Sequence, residues 1–116
     1  MARVLVLDDE TLIRRAFGRA LRQYEVHEAS SCQEARALIE QHSFDALVLD
    51  IQLGRETSEH LVEWIASQYP NLVSRIVLLS GATIPPDFFF PKGARFQPKP
   101  VGVVDLRALV ASLVAG

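Results

Sequence analysis

Apolar residues along this chain fall into two alternating patterns. Short uninterrupted runs, such as the one from Ala46 to Ile51, alternate with segments in which apolar residues recur every three or four positions. The uninterrupted runs are typical of strands covered on both faces, and the wider spacing is typical of amphipathic helices. The predicted strands are Arg3–Leu7, Glu25–Ala29, Ala46–Ile51, Arg75–Ser80 and Ala94–Lys99. This alternation predicts an α/β fold, with a parallel sheet, right-handed crossovers and helices on both faces.

The first predicted helix spans Thr11–Tyr24. Its apolar residues are expected to share one stripe that faces the sheet. The stripe consists of Leu12, Ile13, Phe17, Ala20 and Leu21. The arginines of this segment fall mostly on the other face, so the helix is predicted to pack on the sheet with its charged side in solvent.

The remaining helices have recognisable starts. Ser31 and Glu34 have the spacing of a capping box, in which a side-chain oxygen and a glutamate three residues later satisfy free backbone amides. Thr57 or Ser58 can cap the helix that follows the central strand. The closing helix is predicted over Val104–Val114.

One connection breaks the alternation. Between Ser80 and Phe96, where a fourth helix belongs, prolines at 85, 86 and 91 leave room for about one helical turn. We therefore expect a short or irregular segment. It contains the run Phe88-Phe89-Phe90, for which two interpretations stay open: at least two of the rings pack on the sheet, or they form a hydrophobic docking patch for a partner or a second copy of the chain.

Length and composition limit the kind of protein. The 116 residues are expected to form one domain, residues 1–116, and 22% charged with 49% apolar residues is an ordinary globular balance. A net charge of −2 gives no reason to expect nucleic acid, and the single cysteine, Cys32, excludes an intramolecular disulfide. No apolar run approaches the roughly 20 residues of a membrane span, and no signal peptide is apparent. The expectation is a cytoplasmic protein that does not bind membranes.

Polar residues stand where the predicted strands end. Asp8 and Asp9 follow the first strand, Asp50 ends the third, and Ser80 and Lys99 end the fourth and fifth. Since parallel strands end at the same edge of a sheet, these five side chains should share one pocket. Carboxylates 4 Å apart repel by roughly 4 kcal/mol per pair at an effective dielectric near 20, which a hard divalent cation would offset. Such a site suits phosphoryl transfer, with Asp50 as a nucleophile that forms an acyl phosphate.

These motifs resemble the receiver domain of the two-component response-regulator family over essentially the whole chain. They are Val6-Leu7-Asp8-Asp9-Glu10, Leu47-Val48-Leu49-Asp50-Ile51, Leu78-Leu79-Ser80-Gly81 and Lys99-Pro100. The resemblance implies a flavodoxin-like, doubly wound five-stranded parallel sheet of strand order 2-1-3-4-5. It also implies a cis peptide bond between Lys99 and Pro100, which proline makes accessible.

The resemblance also assigns roles, position by position. Asp50 corresponds to the phosphoacceptor, with Lys99 and Ser80 as its catalytic partners, and Ser80 and Phe96 to the switch pair that senses the phosphoryl group. The implied cofactor is Mg²⁺ or Mn²⁺, held directly by Asp9 and Asp50, through water by Asp8, and by the backbone carbonyl of Gln52.

The function implied is a phosphorylation-dependent switch. A histidine kinase or a histidine phosphotransfer protein donates the phosphoryl group, and an unknown downstream protein reads the altered surface. The chain would be no enzyme beyond assisting its own phosphorylation and dephosphorylation. The alternative is an interaction module of the same fold that is not phosphorylated. A metal-dependent phosphohydrolase is disfavoured, because the first strand lacks a D-x-D pattern. Whether the chain stands alone or is one domain of a longer protein stays open.

Four positions depart from the family pattern or vary within it. Gly54 and Ser58 stand where the family usually has Pro and Gly, so the loop after Asp50 is expected to follow its own path. Gln52 and Ala82 stand at positions that, in this family, tune access of water to the phosphate. They imply a dephosphorylation rate that is particular to this chain and differs from that of other members of the family.

Overall fold

A computed structural model describes all residues, 1–116, and its centre is a five-stranded parallel sheet. The seven strands are β1 (Arg3–Leu7), β2 (Glu25–Ala29), β3 (Ala46–Asp50), β4 (Gln52–Leu53), β5 (Glu56–Thr57), β6 (Ile76–Ser80) and β7 (Arg95–Pro98). The main sheet has the order β2-β1-β3-β6-β7, with all neighbours parallel. Counting only its five strands, this is the predicted order 2-1-3-4-5. Strands β4 and β5 form a separate antiparallel hairpin that the sequence did not predict.

Alternating side chains on each strand build two cores, one on either face of the sheet. Leu5 and Leu7 of β1 face the core beneath α2 (Cys32–Gln41) and α3 (Glu59–Gln68). Val4 and Val6 face the opposite core. That core lies beneath α1 (Thr11–Ala20) and α4 (Val103–Ala115). Because both faces are covered, the strands read as continuous apolar runs.

Helix α1 differs from its prediction in two ways. It ends at Ala20 rather than Tyr24, and residues 21–23 form a turn. Leu12, assigned to the buried stripe, is 82% exposed. Leu12 lies about 100° around the helix from Ile13, which is at the middle of the face that packs, so Leu12 falls outside that face. The stripe that packs runs through Ile13, Phe17 and Ala20.

Side-chain hydrogen bonds are present at both predicted helix starts, before α2 and before α3. The Ser31 side chain accepts a hydrogen bond from the backbone N–H of Glu34 at 3.2 Å, as a capping residue should. Of the two residues predicted to cap α3, Thr57 accepts a hydrogen bond from the backbone N–H of Glu59 on its Oγ1 at 3.4 Å, whereas the Ser58 hydroxyl caps nothing. Its Oγ is fully buried and has no hydrogen-bond partner. None of the helices is long and apolar enough to cross a bilayer.

The predicted irregular connection is confirmed: residues 81–94 contain turns but no helix. Several contacts hold the segment to the rest of the fold, including partly buried Ile84 and Ala94, which pack against the core. Phe88 is 8% exposed and packs into the core beneath α3, and the backbone N–H of Phe89 donates to the Glu59 carboxylate at 2.5 Å. Phe89 and Phe90 remain about two-fifths exposed, at 41% and 38%. Only Phe88 is therefore buried, rather than the two or more rings that the packing interpretation required, and the other two rings stay in part at the surface.

Candidate functional site

The strand register brings the predicted polar residues to one edge of the sheet. Leu7 pairs with Leu49, Asp50 with Leu79, and Ser80 with Pro98, so the strands end side by side. Asp8, Asp50 and Ser80 are buried at these ends, whereas Asp9 is exposed. The convergence predicted from the sequence is therefore present in the structure.

Lys99 links two of the aspartates. Its Nζ lies 3.0 Å from Asp8 Oδ2 and 3.2 Å from Asp50 Oδ2. The lysine follows β7 directly, its backbone N–H donates to the Ser80 carbonyl at 2.8 Å, and the Lys99–Pro100 bond is cis, as predicted. The ammonium group thus partly neutralises the carboxylates at the strand ends.

Three carboxylates, of Asp8, Asp9 and Asp50, lie close together and carry more negative charge than Lys99 neutralises. Oxygen atoms of Asp8, Asp9 and Asp50 all lie within 4.8 Å of one another, which is close enough for one ion to contact all three. Carboxylate oxygens are the ligands that hard divalent cations prefer, so these residues fit a Mg²⁺ or Mn²⁺ ion. The fold supports Asp8 further, because its Oδ1 accepts the Glu10 N–H at 2.9 Å.

The electrostatics of the site raise two pKa values. Burial raises the pKa of Asp50 to about 6, and the charges of Asp8 and Asp9 add to this, while Lys99 opposes it. Burial alone would lower the pKa of Lys99, but its hydrogen bond to Asp8 and the charge of Asp50 outweigh burial and raise it. Lys99 therefore keeps its positive charge, and Asp50 takes up a proton at a higher pH than an ordinary aspartate does.

A small open cavity lies above Asp50. Its volume is about 160 Å³, and Glu10, Gln52, Gly81, Ala82 and Lys99 complete its lining. Glu10 was not proposed as a site residue, although it directly follows the acidic pair. The cavity leaves the reactive side of Asp50 accessible although the residue itself is only 4% exposed.

Ser80 is held by groups on both sides of this cavity. Its hydroxyl lies 2.8 Å from Gln52 Oε1 and 2.8 Å from the Ala82 carbonyl, and it accepts the Ala82 N–H at 3.3 Å. Sequence reasoning placed Gln52 at a position that tunes access of water and gave its backbone carbonyl a role at the metal, but it missed the contact of its side chain with Ser80. No periodic or motif signal predicts it, because it depends on the path of the loop after β3.

That loop follows a path that the family's usual proline would not permit. Gly54 has a φ of +65°, whereas proline is restricted to about −65°. The turn between β4 and β5 therefore requires a residue such as glycine. A side chain at 54 would also approach the Asp9 carboxylate, with its Cβ 3.8 Å from Oδ2.

Phe96, the predicted aromatic switch residue, lies on β7 at the edge of the sheet. Its ring is 41% exposed and contacts the edge of the Phe90 ring, with centroids 6.0 Å apart. Phe90 in turn lies 5.4 Å from the buried Phe88. The ring thus points outward and extends an aromatic row along the irregular segment.

The fold and site define an α/β protein with an acidic pocket at the carboxyl edge of a parallel sheet, and comparison with known proteins identifies its family. Residues 4–110 match the response regulator receiver domain family. The chain therefore belongs to this family, the receiver domains of two-component systems, which are generally non-enzymatic signalling domains.

Individual relatives agree with this assignment. A receiver domain protein (CheY-like) from Methanospirillum hungatei is 26% identical, with a TM-score of 0.88 over 99% of this chain and 94% of its own. The chemotaxis response regulator CheY4 of Vibrio cholerae is 27% identical, with a TM-score of 0.82 over 97% of this chain and 98% of its own. The alginate biosynthesis transcriptional regulatory protein AlgB of Pseudomonas aeruginosa is 34% identical over 80 residues, which are 67% of this chain and 17% of AlgB. This chain therefore corresponds to a small part of that regulator.

Proposed function

We propose that this chain is a phosphorylation-dependent switch that accepts a phosphoryl group on Asp50. The donor is the phosphohistidine of a histidine kinase or of a histidine phosphotransfer protein. The observation that carries the proposal is the Lys99 ammonium group, 3.0 Å from Asp8 and 3.2 Å from Asp50 at the cavity above the acceptor. A nucleophilic carboxylate, a fixed cation and an open approach are the parts that phosphoryl transfer needs.

The chemical step uses the Asp50 carboxylate. One carboxylate oxygen attacks the phosphorus atom, the phosphorus–nitrogen bond breaks, and the imidazole leaves with the bonding electron pair and takes up a proton. The product is an acyl phosphate on Asp50. With the pKa of Asp50 raised only to about 6, the carboxylate is mostly ionised at neutral pH and remains nucleophilic. Lys99 balances the negative charge of the transferred group.

Asp8, Asp9 and Asp50 are the residues that would hold a divalent cation, with the Gln52 backbone carbonyl as a further ligand. Their oxygens lie within 4.8 Å of one another and match the chemistry of Mg²⁺ or Mn²⁺. Such an ion would supply neutralisation of the phosphoryl oxygens. In this arrangement Asp9, the exposed member, is the ligand most open to exchange with solvent.

The readout involves Ser80 and Phe96. Ser80 lies at the end of β6 beside the cavity, and its hydroxyl would turn to a phosphoryl oxygen. Phe96 is 41% exposed and points outward, so an inward rotation of its ring would change the surface formed with Phe90. The population of the two arrangements would shift by the free energy of the new contacts.

An apolar groove beside Lys99 supports docking of a donor protein. Its volume is about 360 Å³, and it is lined by Ile13, Phe17, Gly81, Lys99, Pro100 and Val101. Leu12 and Val104 are 82% and 77% exposed, as apolar residues of a docking surface would be. A donor covering this groove would exclude water from the transfer.

Acetyl phosphate with Mg²⁺, followed by intact-mass measurement, tests the chemical step. The wild-type chain should gain one phosphoryl group, and Asp50→Asn should gain none. Asp87→Asn is a matched control, because Asp87 is exposed on the irregular segment and should leave phosphorylation unchanged. Phosphate on Asp50→Asn, or no phosphate on the wild type, would contradict the proposal.

The alternative, an interaction module that is not phosphorylated, predicts a different response to a phosphoryl analogue. A titration with beryllium, fluoride and Mg²⁺ should shift amide resonances around Ser80 and Phe96 if the switch operates. An unchanged amide spectrum would favour the alternative.

A further inference from the structure

The Ser80 hydroxyl has all its hydrogen-bonding capacity in use before any phosphoryl group arrives. The residue is 3% exposed, and its Oγ contacts Gln52 Oε1 and the Ala82 carbonyl, each at 2.8 Å. The Ala82 N–H lies at 3.3 Å as a donor to the same oxygen. A group held on three sides must give up existing hydrogen bonds before it can donate to a new acceptor.

Counting protons sharpens the role of Gln52. A serine hydroxyl carries one proton and cannot donate fully to both Gln52 and Ala82. The network closes when the Gln52 amide is turned by 180°, since its NH₂ then donates to Ser80 Oγ and the Ser80 proton goes to the Ala82 carbonyl. In either orientation Gln52 is a direct partner of the hydroxyl, and the Ser80–Gln52 contact opposes movement of Ser80.

The contact joins two strands of the switch. Gln52 begins β4, two residues beyond Asp50, and Ser80 ends β6. Both Gln52 and Ala82 line the cavity above Asp50. The same side chain therefore borders the space that a phosphoryl group would occupy and holds the hydroxyl that would respond to it.

We propose that Gln52 is a positioning residue that holds Ser80 in its resting orientation and so raises the threshold for switching. The inference rests on the proposed function, because it concerns the response to phosphorylation of Asp50. Loss of the Gln52 contact should favour the orientation in which Ser80 is free to turn. One hydrogen bond of ordinary net strength corresponds to roughly a three- to ten-fold change in the equilibrium between the resting and the turned orientation of Ser80.

The first experiment needs no phosphoryl group. The side-chain NH₂ resonances of Gln52 should move in Ser80→Ala, because the hydroxyl partner is gone. Unchanged resonances would overturn the inference whatever the outcome of the phosphorylation experiments.

The second experiment measures the affinity for beryllium fluoride at saturating Mg²⁺, followed by amide resonances of Ala82 and Phe96. Gln52→Met keeps the length of the side chain but removes its polar atoms, and Gln52→Asn keeps the amide but is one methylene too short to reach Ser80. Both variants should bind the analogue roughly three- to ten-fold more tightly than the wild type. Wild-type affinity in either variant would overturn the inference.

The third experiment separates this role from an effect of Gln52 on water. In the Ser80→Ala background, Gln52→Met should leave the affinity for the analogue unchanged, because its partner is already absent. The same gain in both backgrounds would overturn the inference. If the wild type binds no analogue and gains no phosphate, the proposed function itself fails, and that result is distinct from wild-type binding that Gln52→Met does not alter.

Discussion

Asp50→Asn should stabilise the metal-free protein at neutral pH, although it removes the proposed phosphoacceptor. In the wild type, Asp50 is 4% exposed and lies within 4.8 Å of Asp8 and Asp9. Burial, with the neighbouring carboxylates, raises its pKa from 3.8 to about 6, so ionised Asp50 makes the folded state less favourable. Asparagine keeps the shape and removes the charge, and Lys99 keeps its 3.0 Å contact with Asp8.

The size of the pKa shift of Asp50 sets how much Asp50→Asn should stabilise the protein. A rise of about two units corresponds to at most about 3 kcal/mol of unfolding free energy at roughly 1.4 kcal/mol per unit. Asparagine also loses the charged contact with Lys99, so we expect a gain of about 1–2 kcal/mol. For a domain of this size that is an increase of about 3–10 °C in the melting temperature.

The sign of the pH dependence follows from proton uptake. Between pH 3.8 and about 6 the folded wild type binds the Asp50 proton more strongly than the unfolded chain does, so its stability falls as the pH rises through that window. The advantage of Asp50→Asn should therefore be full above pH 6 and absent below about pH 4.

Urea unfolding of both proteins in EDTA, at pH 7.5 and at pH 4, measures this difference. Asp87→Asn serves as a control and should show no gap at either pH, because Asp87 is exposed. With Mg²⁺ at about 100 times its dissociation constant the wild type should gain roughly 2.7 kcal/mol, and the order of the two proteins should reverse. A metal-free variant less stable than the wild type at pH 7.5, or a gap that is independent of pH, would refute the reasoning.

Three further predictions concern the rest of the fold. Ser58→Ala should stabilise the protein by about 1 kcal/mol in chemical denaturation, because the buried Ser58 hydroxyl has no partner. Ser31→Ala removes an observed cap and should destabilise the protein by about 1 kcal/mol. If both variants changed the unfolding free energy in the same direction, the different roles given to the two hydroxyls would be contradicted. Phe88→Ala should cost about 3 kcal/mol of unfolding free energy, and Phe89→Ala less than about 1 kcal/mol, because only the first ring is buried. Hydrogen bonds from Arg3 and His27 lower the pKa of Glu25 to about 2, so its stabilising contribution is present above pH 4.5 and is lost as the pH falls toward 2. Acid titration of Glu25→Gln should show a smaller loss of stability over that window, and a loss equal to that of the wild type would argue against it.

Residues at strand ends could be predicted from the sequence because their positions follow from topology alone. Once the apolar runs are assigned to a parallel sheet, Asp8, Asp50, Ser80 and Lys99 must lie at one edge, and the structure has them there. The strand order came from the resemblance to receiver domains rather than from topology, and the prolines predicted the missing helix. These features depend on the backbone, which hydrophobic pattern and proline geometry constrain strongly.

Features that depend on side-chain direction could not be predicted in the same way. Leu12 was assigned to the buried stripe because it is apolar, but its position one residue before Ile13 turns it to solvent. Three consecutive phenylalanines carry no periodic signal, so burial of Phe88 alone follows from how the segment is anchored. The Ser80–Gln52 contact depends on the loop after β3, whose turn at Gly54 has no counterpart in a repeating pattern.

The absence of a helix between β6 and β7 has a consequence for how this region tolerates change in length. Inserting a residue into a helix rotates everything after it by about 100° and carries its apolar face away from the sheet. Residues 81–94 have no such periodicity, and Ile84, Phe88 and the Glu59–Phe89 contact tie the segment to the rest of the fold on either side of its exposed turn. Insertions or deletions at the exposed turn of Pro86 and Asp87 would be absorbed there, away from Gly81 and Ala82, which line the acidic pocket, so the chain can vary in length at this turn while the pocket keeps its shape.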